Sequence, residues 1–396
     1  MQEAAYWILF QNVFGCGTAR SQKVLDHFGH PGAIFDIPYA KLAAEGSFTK
    51  GELTRLAAAT SSAAQQVLDR CRELGCRVLT PADGEYPDRL RQIYAPPSVL
   101  YVLGSLEGLD QSLAIAMVGT RSHTSYGKRA ASDIAEGLAR RGVAVVSGLA
   151  AGIDADSHGA ALRAGGRTIA VLGNGIDTIY PASNRELHRL ILERDGAVIT
   201  EFPPGSGVQP YHFPIRNRII SGLCQGTVVV EGARHSGSLI TAGHALAQGR
   251  DVFAVPGNIY SPMSQATNWL ISQGAVPVAS WRDILEEYNY LIEEEPDPQA
   301  QKQGGFDNIE ANVYNRQKGK AAKVEEASSR TAQQQMLPAC LTENQRAVLR
   351  ALEAEPADAD TITARCGLPV GTVLAALTQL ELFGHLKVHP GRRFSL

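Results

Sequence analysis

The chain runs to 396 residues, with 44% hydrophobic and 19% charged side chains and a formal net charge of −3. This excludes a fibrous or disordered protein and leaves a soluble chain of two or three domains with at least one large core. It also excludes a protein that is basic overall, so any affinity for nucleic acid has to come from a local cluster of cations.

Residues 1–70 read as a helical domain, with apolar positions at Tyr6-Trp7-Ile8-Leu9-Phe10, Val24-Leu25, Phe28, Leu53, Leu56 and Val67-Leu68. The opening run lacks the basic leader and small-residue cleavage site of a secretory signal. Gly15-Cys16-Gly17, between the first two helices, is either a hairpin whose amides approach a phosphate or simply a tight helix–helix turn. The spacing favours neither.

From residue 71 to 292 the pattern changes to short apolar strands alternating with amphipathic helices. The strands are LAIAMVG (113–119), VAVVSG (143–148), TIAVLG (168–173), AVIT (197–200), TVVVE (227–231), DVFAV (251–255) and VPVAS (276–280). Strands that are apolar throughout must be covered on both faces, which predicts an α/β fold with an extended Rossmann-like parallel sheet as its core. Val78-Leu79 and Val99-Leu100-Tyr101-Val102-Leu103 are expected to add strands to it. Near its end, Trp269-Leu270-Ile271 places three large apolar residues in a row, more than one helix face can bury against a sheet. The surplus either marks a homodimer interface or packs under a helix over 281–291.

Residues 293–340 are rich in Glu, Gln, Lys and Pro and read as a flexible linker. Residues 341–396 then read as three short helices and a hairpin, the pattern of a small winged helix, with Thr342 capping the first helix and Gln345 in capping-box position. Its third helix, 370–382, holds no lysine or arginine and one glutamate. Across 341–396 Arg346, Arg350, Arg365, Lys387, Arg392 and Arg393 are balanced by Glu343, Glu353, Glu355, Asp358, Asp360 and Glu381. Duplex affinity is largely electrostatic, so this module is expected to bind protein or gate a site rather than anchor DNA. No stretch of the chain reaches the length of a membrane helix. The six cysteines form no CxxC pair, which excludes the usual zinc and thioredoxin spacings and fits buried thiols in a reducing cytoplasm. A cytoplasmic protein without membrane contact is expected, with neither metal nor cofactor.

In a parallel α/β sheet, ligands collect beyond the carboxyl ends of the strands. Here those ends carry small residues: Gly119, Thr120 and Arg121 after the first strand of the alternating region; Ser147, Gly148, Ala150 and Gly152 after the second; Asn174 and Gly175 after the third; and Ser236, Gly237 and Ser238 after the fifth. Small residues let amides point outward, and the helix that follows adds partial positive charge, so the loops together predict an anion cradle for several phosphates. Arg121 and Arg216-Asn217-Arg218 bring the cations, since a guanidinium fork bonds two phosphate oxygens at once. Arg216 and Arg218 either face the ligand or pair internally with Glu201 or Glu231, and one arginine can do each. Replacing Arg121, or Arg216 with Arg218, is expected to weaken binding without unfolding the chain.

Enzyme motifs fit poorly. Gly173-x-Gly175-x-x-Thr178 lacks the third glycine of the dinucleotide fingerprint, and Tyr180-Pro181 interrupts the helix that should follow. There is no Walker lysine motif, and Ser236-Gly237-Ser238 has the wrong spacing for a nucleophile elbow. Asp154, Asp156 and His158 suit helix capping and the first helical turn better than a metal or acid–base site.

The ordered set VGTRSHTSYG, VSGLAAGIDADSH, VLGNGIDTIYPASN, EFPPG, FPIRNRIISGL, VVVEGARHSGSLITAGHALAQGR and AVPG resembles the DprA/Smf family over residues 75–290. That resemblance implies a sterile-alpha-motif-like or helix-hairpin-helix N-domain, the Rossmann core and the winged helix. It also implies single-stranded DNA binding and protection, dimerisation through the core, hand-over of the strand to RecA recombinase in natural transformation, and no catalysis. The family's DNA pocket falls on Gly119–Arg121, Ser147–Gly152 and Arg216–Arg218, with Tyr180 or Arg185 in place of the lysine or aromatic often found near the third-strand loop. Two other classes stay open: a Rossmann nucleoside-monophosphate hydrolase, against which the missing glutamate after 232–241 argues, and a winged-helix transcription regulator with a ligand-sensing core.

Overall fold

The structure, a computed structural model, describes residues 3–289, 343–352, 357–368, 386–389 and 393–395, together with 373, 376, 377 and 380. They fall in two compact units, Met1–Pro296 and Asp297–Leu396. The linker reading of 293–340, the cap at Thr342 and most of the helix over 370–382 lie outside the described residues.

The first unit is built on a nine-stranded sheet. Its strands are β1 (Arg77–Leu79), β2 (Leu100–Gly104), β3 (Ala114–Val118), β4 (Ala144–Ser147), β5 (Thr168–Leu172), β6 (Ala197–Thr200), β7 (Gly226–Val229), β8 (Asp251–Ala254) and β9 (Val276–Pro277). They lie in the order β1-β2-β6-β5-β4-β3-β7-β8-β9, parallel from β6 to β9, with β1 and β2 added antiparallel at one edge. The chain thus winds from β3 through β4 and β5 to β6, then returns to pair β7 against β3. That reversal is the topological switch of a doubly wound sheet.

Alternation along each strand divides the core. Ile115 and Met117 of β3 face one side with Val145, Val228 and Phe253, under α7 (Ser125–Arg140), α8 (Ile153–Arg163) and α13 (Trp281–Glu286). Ala114, Ala116 and Val118 face the other, under α6 (Asp88–Arg91), α10 (His212–Gly222), α11 (Ser238–Ala247) and α12 (Gln265–Ser272). Each fully buried Ile or Met contributes roughly 1.5–3 kcal/mol. Towards the β6 side, α1 (Glu3–Phe14), α5 (Ser61–Glu73) and α9 (Arg185–Glu193) share a cluster with Tyr101, Leu172 and Val198. The opposite end of α1, with Phe10, Val13 and Phe14, packs in a cluster with Val24 of α2 (Arg20–Phe28), Leu42 of α3 (Tyr39–Glu45) and Phe48, against which Leu53 of α4 (Lys50–Ala58) lies. α1 is apolar nearly all round because it is buried on both sides.

The second unit has helices Glu343–Ala351 and Ala359–Cys366, the latter capped by Asp358, whose carboxylate accepts from the Thr361 amide at 2.8 Å. Lys387–His389 pairs antiparallel with Arg393–Ser395, placing Val388 opposite Phe394, and Ala357–Asp358 joins as a third strand. Val348, Ile362, Leu377, Leu380 and Phe394 form its core.

Candidate nucleic-acid interface

The crevice at the β3/β7 switch, where a doubly wound sheet usually takes its ligand, is bridged by the protein itself. The Glu231 carboxylate accepts from the Thr124 amide at 2.9 Å and from its hydroxyl at 2.6 Å, while the Thr120 amide donates to the Glu231 carbonyl at 2.8 Å. The Thr124 hydroxyl also accepts from the Gly127 amide and so caps α7. A Cβ at Gly127 would sit 2.1 Å from Glu231 Oε2, so only glycine admits this carboxylate.

The open site lies instead on the β4/β5 side. Arg121, Gly148, Ala150, Asn174, Tyr180 and Phe213 are among the residues lining a pocket of about 60 Å³, which brings together the loops after β3, β4 and β5 and the first turn of α10. Gly152 enters α8 at φ +83°, where a Cβ would lie 2.4 Å from the Thr120 carbonyl, and that carbonyl accepts from the Ile153 amide at 3.2 Å. Glycine at this position lets the β3 and β4 loops meet. Arg121 is exposed, and its guanidinium lies 5.0 Å from the Phe213 ring centroid. No carboxylate pairs with Arg121 among the described residues.

Much of the cradle expected from small residues is occupied from within. Asp154, buried just inside α8, accepts from the Gly148 amide at 3.1 Å and the Ala150 amide at 3.4 Å. Its carboxylate caps the loop before the helix, so those amides do not face a ligand. Burial raises the Asp154 carboxyl above its ordinary value, and Arg216 and the two amides work against that rise.

Arg216 lies beneath the pocket and is buried. It donates to the Gly148 carbonyl at 2.7 Å, to the Val171 carbonyl, and to Asn217 Oδ1 at 3.2 Å. Burial pulls it down to about 10, with Asp154 opposing and Arg121 adding to the fall, so it stays charged at neutral pH. A Cβ at Gly148 would meet the Arg216 guanidinium at 2.5 Å. Arg218 points elsewhere: it pairs with Glu201 at 2.8 Å and donates to the carbonyls of Ala95 and Ile215. Internal pairing, one of the two possibilities open in the sequence, holds for Arg218 with Glu201; Arg216 is consumed by the Gly148 and Val171 carbonyls and Asn217 Oδ1 rather than by Glu201 or Glu231.

The remaining candidates divide similarly. The buried Ser147 donates its hydroxyl to the Met117 carbonyl, and the buried Asn174 amide donates to the carbonyls of Gly175 and Thr178. Gly119 and Gly175 are close-packed positions whose added Cβ would overlap Ile153 and the Pro203 carbonyl respectively. Ser236 and Ser238 bond one another at 2.8 Å on the β7 loop and are not among the pocket's lining residues, nor is Gly237. In the α1–α2 turn, the Gly17 amide donates to Glu201 Oε1 at 3.2 Å, and a Cβ there would overlap Ile215. The tight-turn reading of that segment describes this packing.

His158 is fully buried, with Nδ1 2.6 Å from the Thr168 hydroxyl, and burial followed by the Arg216 charge pushes it down to about 3. Asp156 pairs with His123 at 2.8 Å. Among the described residues no group of three or more His, Cys, Asp or Glu is placed to hold a metal ion. No helix among them is long and apolar enough to cross a membrane. Sequence reasoning missed Phe213; its signal was an aromatic side chain directly before the arginine run, in Phe213-Pro214-Ile215-Arg216.

A family profile described as DNA recombination-mediator protein A matches residues 77–289, and one described as the DprA winged helix domain matches residues 331–392. Protein Smf of Escherichia coli (strain K12) is 40% identical over 314 residues, which cover 79% of this chain and 76% of that protein. DNA processing protein DprA of Bacillus subtilis (strain 168) is 44% identical over 222 residues, or 56% of this chain and 74% of that one. The solved structure of DNA processing protein A from Streptococcus pneumoniae superposes with a TM-score of 0.63 at 33% identity, covering 74% of this chain and 99% of that chain.

Proposed function

We propose, from the premise that the chain belongs to the DprA/Smf family of DNA recombination mediators, that the pocket beyond β3, β4 and β5 binds the backbone of single-stranded DNA. The observation that carries this is Arg121: an exposed guanidinium with no acidic partner among the described residues, on an aromatic ring, lining a pocket behind whose Gly148 the buried Arg216 is held. Such a mix of cation and ring suits a flexible strand that offers phosphates and free base faces together.

In this reading the protein catalyses nothing, works in the cytoplasm, protects incoming single strands and passes them to RecA during natural transformation. The full-length chain is expected to shift labelled oligothymidylate at concentrations where a duplex of equal length stays free. Equal affinity for both, or tighter duplex binding, would return the regulator reading.

The same reading includes a homodimer through the last units of the sheet. Leu270 is buried under the sheet, while Trp269 stays 51% exposed on α12 rather than packing beneath α13. Light scattering is expected to give twice the chain mass at micromolar concentration, and Trp269→Glu to give the single mass. A wild-type chain that is monomeric under those conditions would rule this interface out.

A further inference from the structure

Cys71 and Cys76 are brought together by the way α5 ends. The Cys76 amide donates to the Cys71 carbonyl at 2.8 Å and the Gly75 amide to the Arg72 carbonyl at 3.2 Å, with Gly75 at φ +64°. Two such bonds round a left-handed glycine make the Schellman helix ending, in which the side chains of the two outer residues commonly meet. Here both outer residues are cysteines. Covalent geometry on either side of the 2.8 Å bond keeps their Cα atoms about 6.7 Å apart at most. A disulfide spans Cα separations of about 4.4–6.8 Å. Both thiols are free and buried, in the cluster that packs α5 against α1 and Tyr101 of β2. The sulfurs also act on one another: the hydrogen bond with Cys76 pulls the Cys71 thiol below its ordinary value, and that bond together with burial pushes the Cys76 thiol well above it. Other cysteines lie elsewhere, Cys16 donating to the Glu201 carbonyl at 3.8 Å and Cys224 buried in the cluster under α10 and α11.

We propose that Cys71 and Cys76 are a dithiol that hydrogen peroxide closes to a disulfide, a modification site apart from the pocket, which neither residue lines. The helix ending, rather than a CxxC spacing, sets the two sulfurs side by side. Arg72, Glu73 and Gly75 between them are exposed, so opening the last turn of α5 admits a small uncharged oxidant. The Cys71 thiolate attacks one peroxide oxygen and breaks the O–O bond, leaving a sulfenic acid on Cys71 and a hydroxide. The Cys76 sulfur then attacks the Cys71 sulfur and expels the second hydroxide. The two thiol protons convert both hydroxides to water, so the sulfurs are oxidised and the peroxide is reduced. The bridge ties the end of α5 to the residue before β1, and attack by a small-molecule thiol reopens it.

The test treats the folded full chain with hydrogen peroxide, alkylates the remaining thiols in denaturant and maps tryptic peptides by mass. Cleavage after Arg70, Arg72 and Arg77 puts Cys71 and Cys76 on separate peptides. The expected product is a cross-linked species of 71–72 with 73–77, lighter by about 2 Da than the two reduced peptides together and separated again by dithiothreitol. Cys76→Ser should stop the same treatment at a sulfenic acid on Cys71, which dimedone captures. Wild-type mapping decides the matter even if that variant fails to fold. Both thiols still open to alkylation after peroxide, or each carried to a sulfinic acid without a cross-link, overturns the proposal. So does a bridge from either residue to a different cysteine, or a cross-link that forms only once the chain has been unfolded.

Discussion

Arg121→Ala is expected to weaken binding of oligothymidylate by roughly ten- to 100-fold while leaving the unfolding temperature unchanged, because a charge-assisted hydrogen bond contributes about 1.5–3 kcal/mol. The affinity falls because this guanidinium is the exposed cation among the pocket's lining residues, and Arg216 beneath it has spent its bonds on carbonyls. Stability is spared because Arg121 is exposed and no ion pair holds it among the described residues, and exposed positions of this kind usually change stability by no more than about 0.5 kcal/mol. The slope of log affinity against log salt should become shallower by about 0.7, one phosphate contact on a single strand. Fluorescence anisotropy at several salt concentrations reads both quantities. Wild-type affinity with a wild-type slope would remove Arg121 from the interface.

Arg216→Ala together with Arg218→Ala should unfold the chain or leave it insoluble, the reverse of what the arginine cluster suggests in the sequence. Removing Arg218 strands the Glu201 carboxylate, which is 2% exposed and has one oxygen already without a hydrogen-bond partner. Breaking one side of a buried ion pair costs about 3–5 kcal/mol. Removing Arg216 leaves the buried Gly148 and Val171 carbonyls without their donor, at about 1–3 kcal/mol for each orphaned group. Against a total stability of about 5–15 kcal/mol, the double variant has little left. Denaturant titration of each single variant measures the two losses separately. A double variant with wild-type stability and lost DNA binding would restore both arginines to the phosphate contact.

The layered fold was legible from residue order because local rules produce it. Continuous apolar runs such as Leu113–Val118 can only be strands buried on both faces, and the helices between them carry their own stop signals. Gly152 was legible only as a small residue between a strand and a helix, and the structure adds that it sits at φ +83°. The loops that meet at the pocket were legible too, since parallel strands must all end at one edge.

What those loops offer a ligand was decided only by tertiary structure. Asp154 reaches back to its own loop, Glu231 closes the switch point from 107 residues beyond Thr124, and Glu201 draws Arg218 towards the α1–α2 turn instead of the pocket. Composition and spacing show how many amides and cations a loop holds. Whether an amide or a guanidinium is free depends on which buried carboxylate or carbonyl lies within about 3 Å of it, and in a wound sheet that neighbour comes from a strand or helix far away in the chain. The sequence by itself therefore determined the sheet, its edge and the family. Tertiary packing decided that Arg121 faces solvent while Arg216 and Arg218 are buried against carbonyls and Glu201, since a buried charge is costly unless it is paired and hydrogen-bonded.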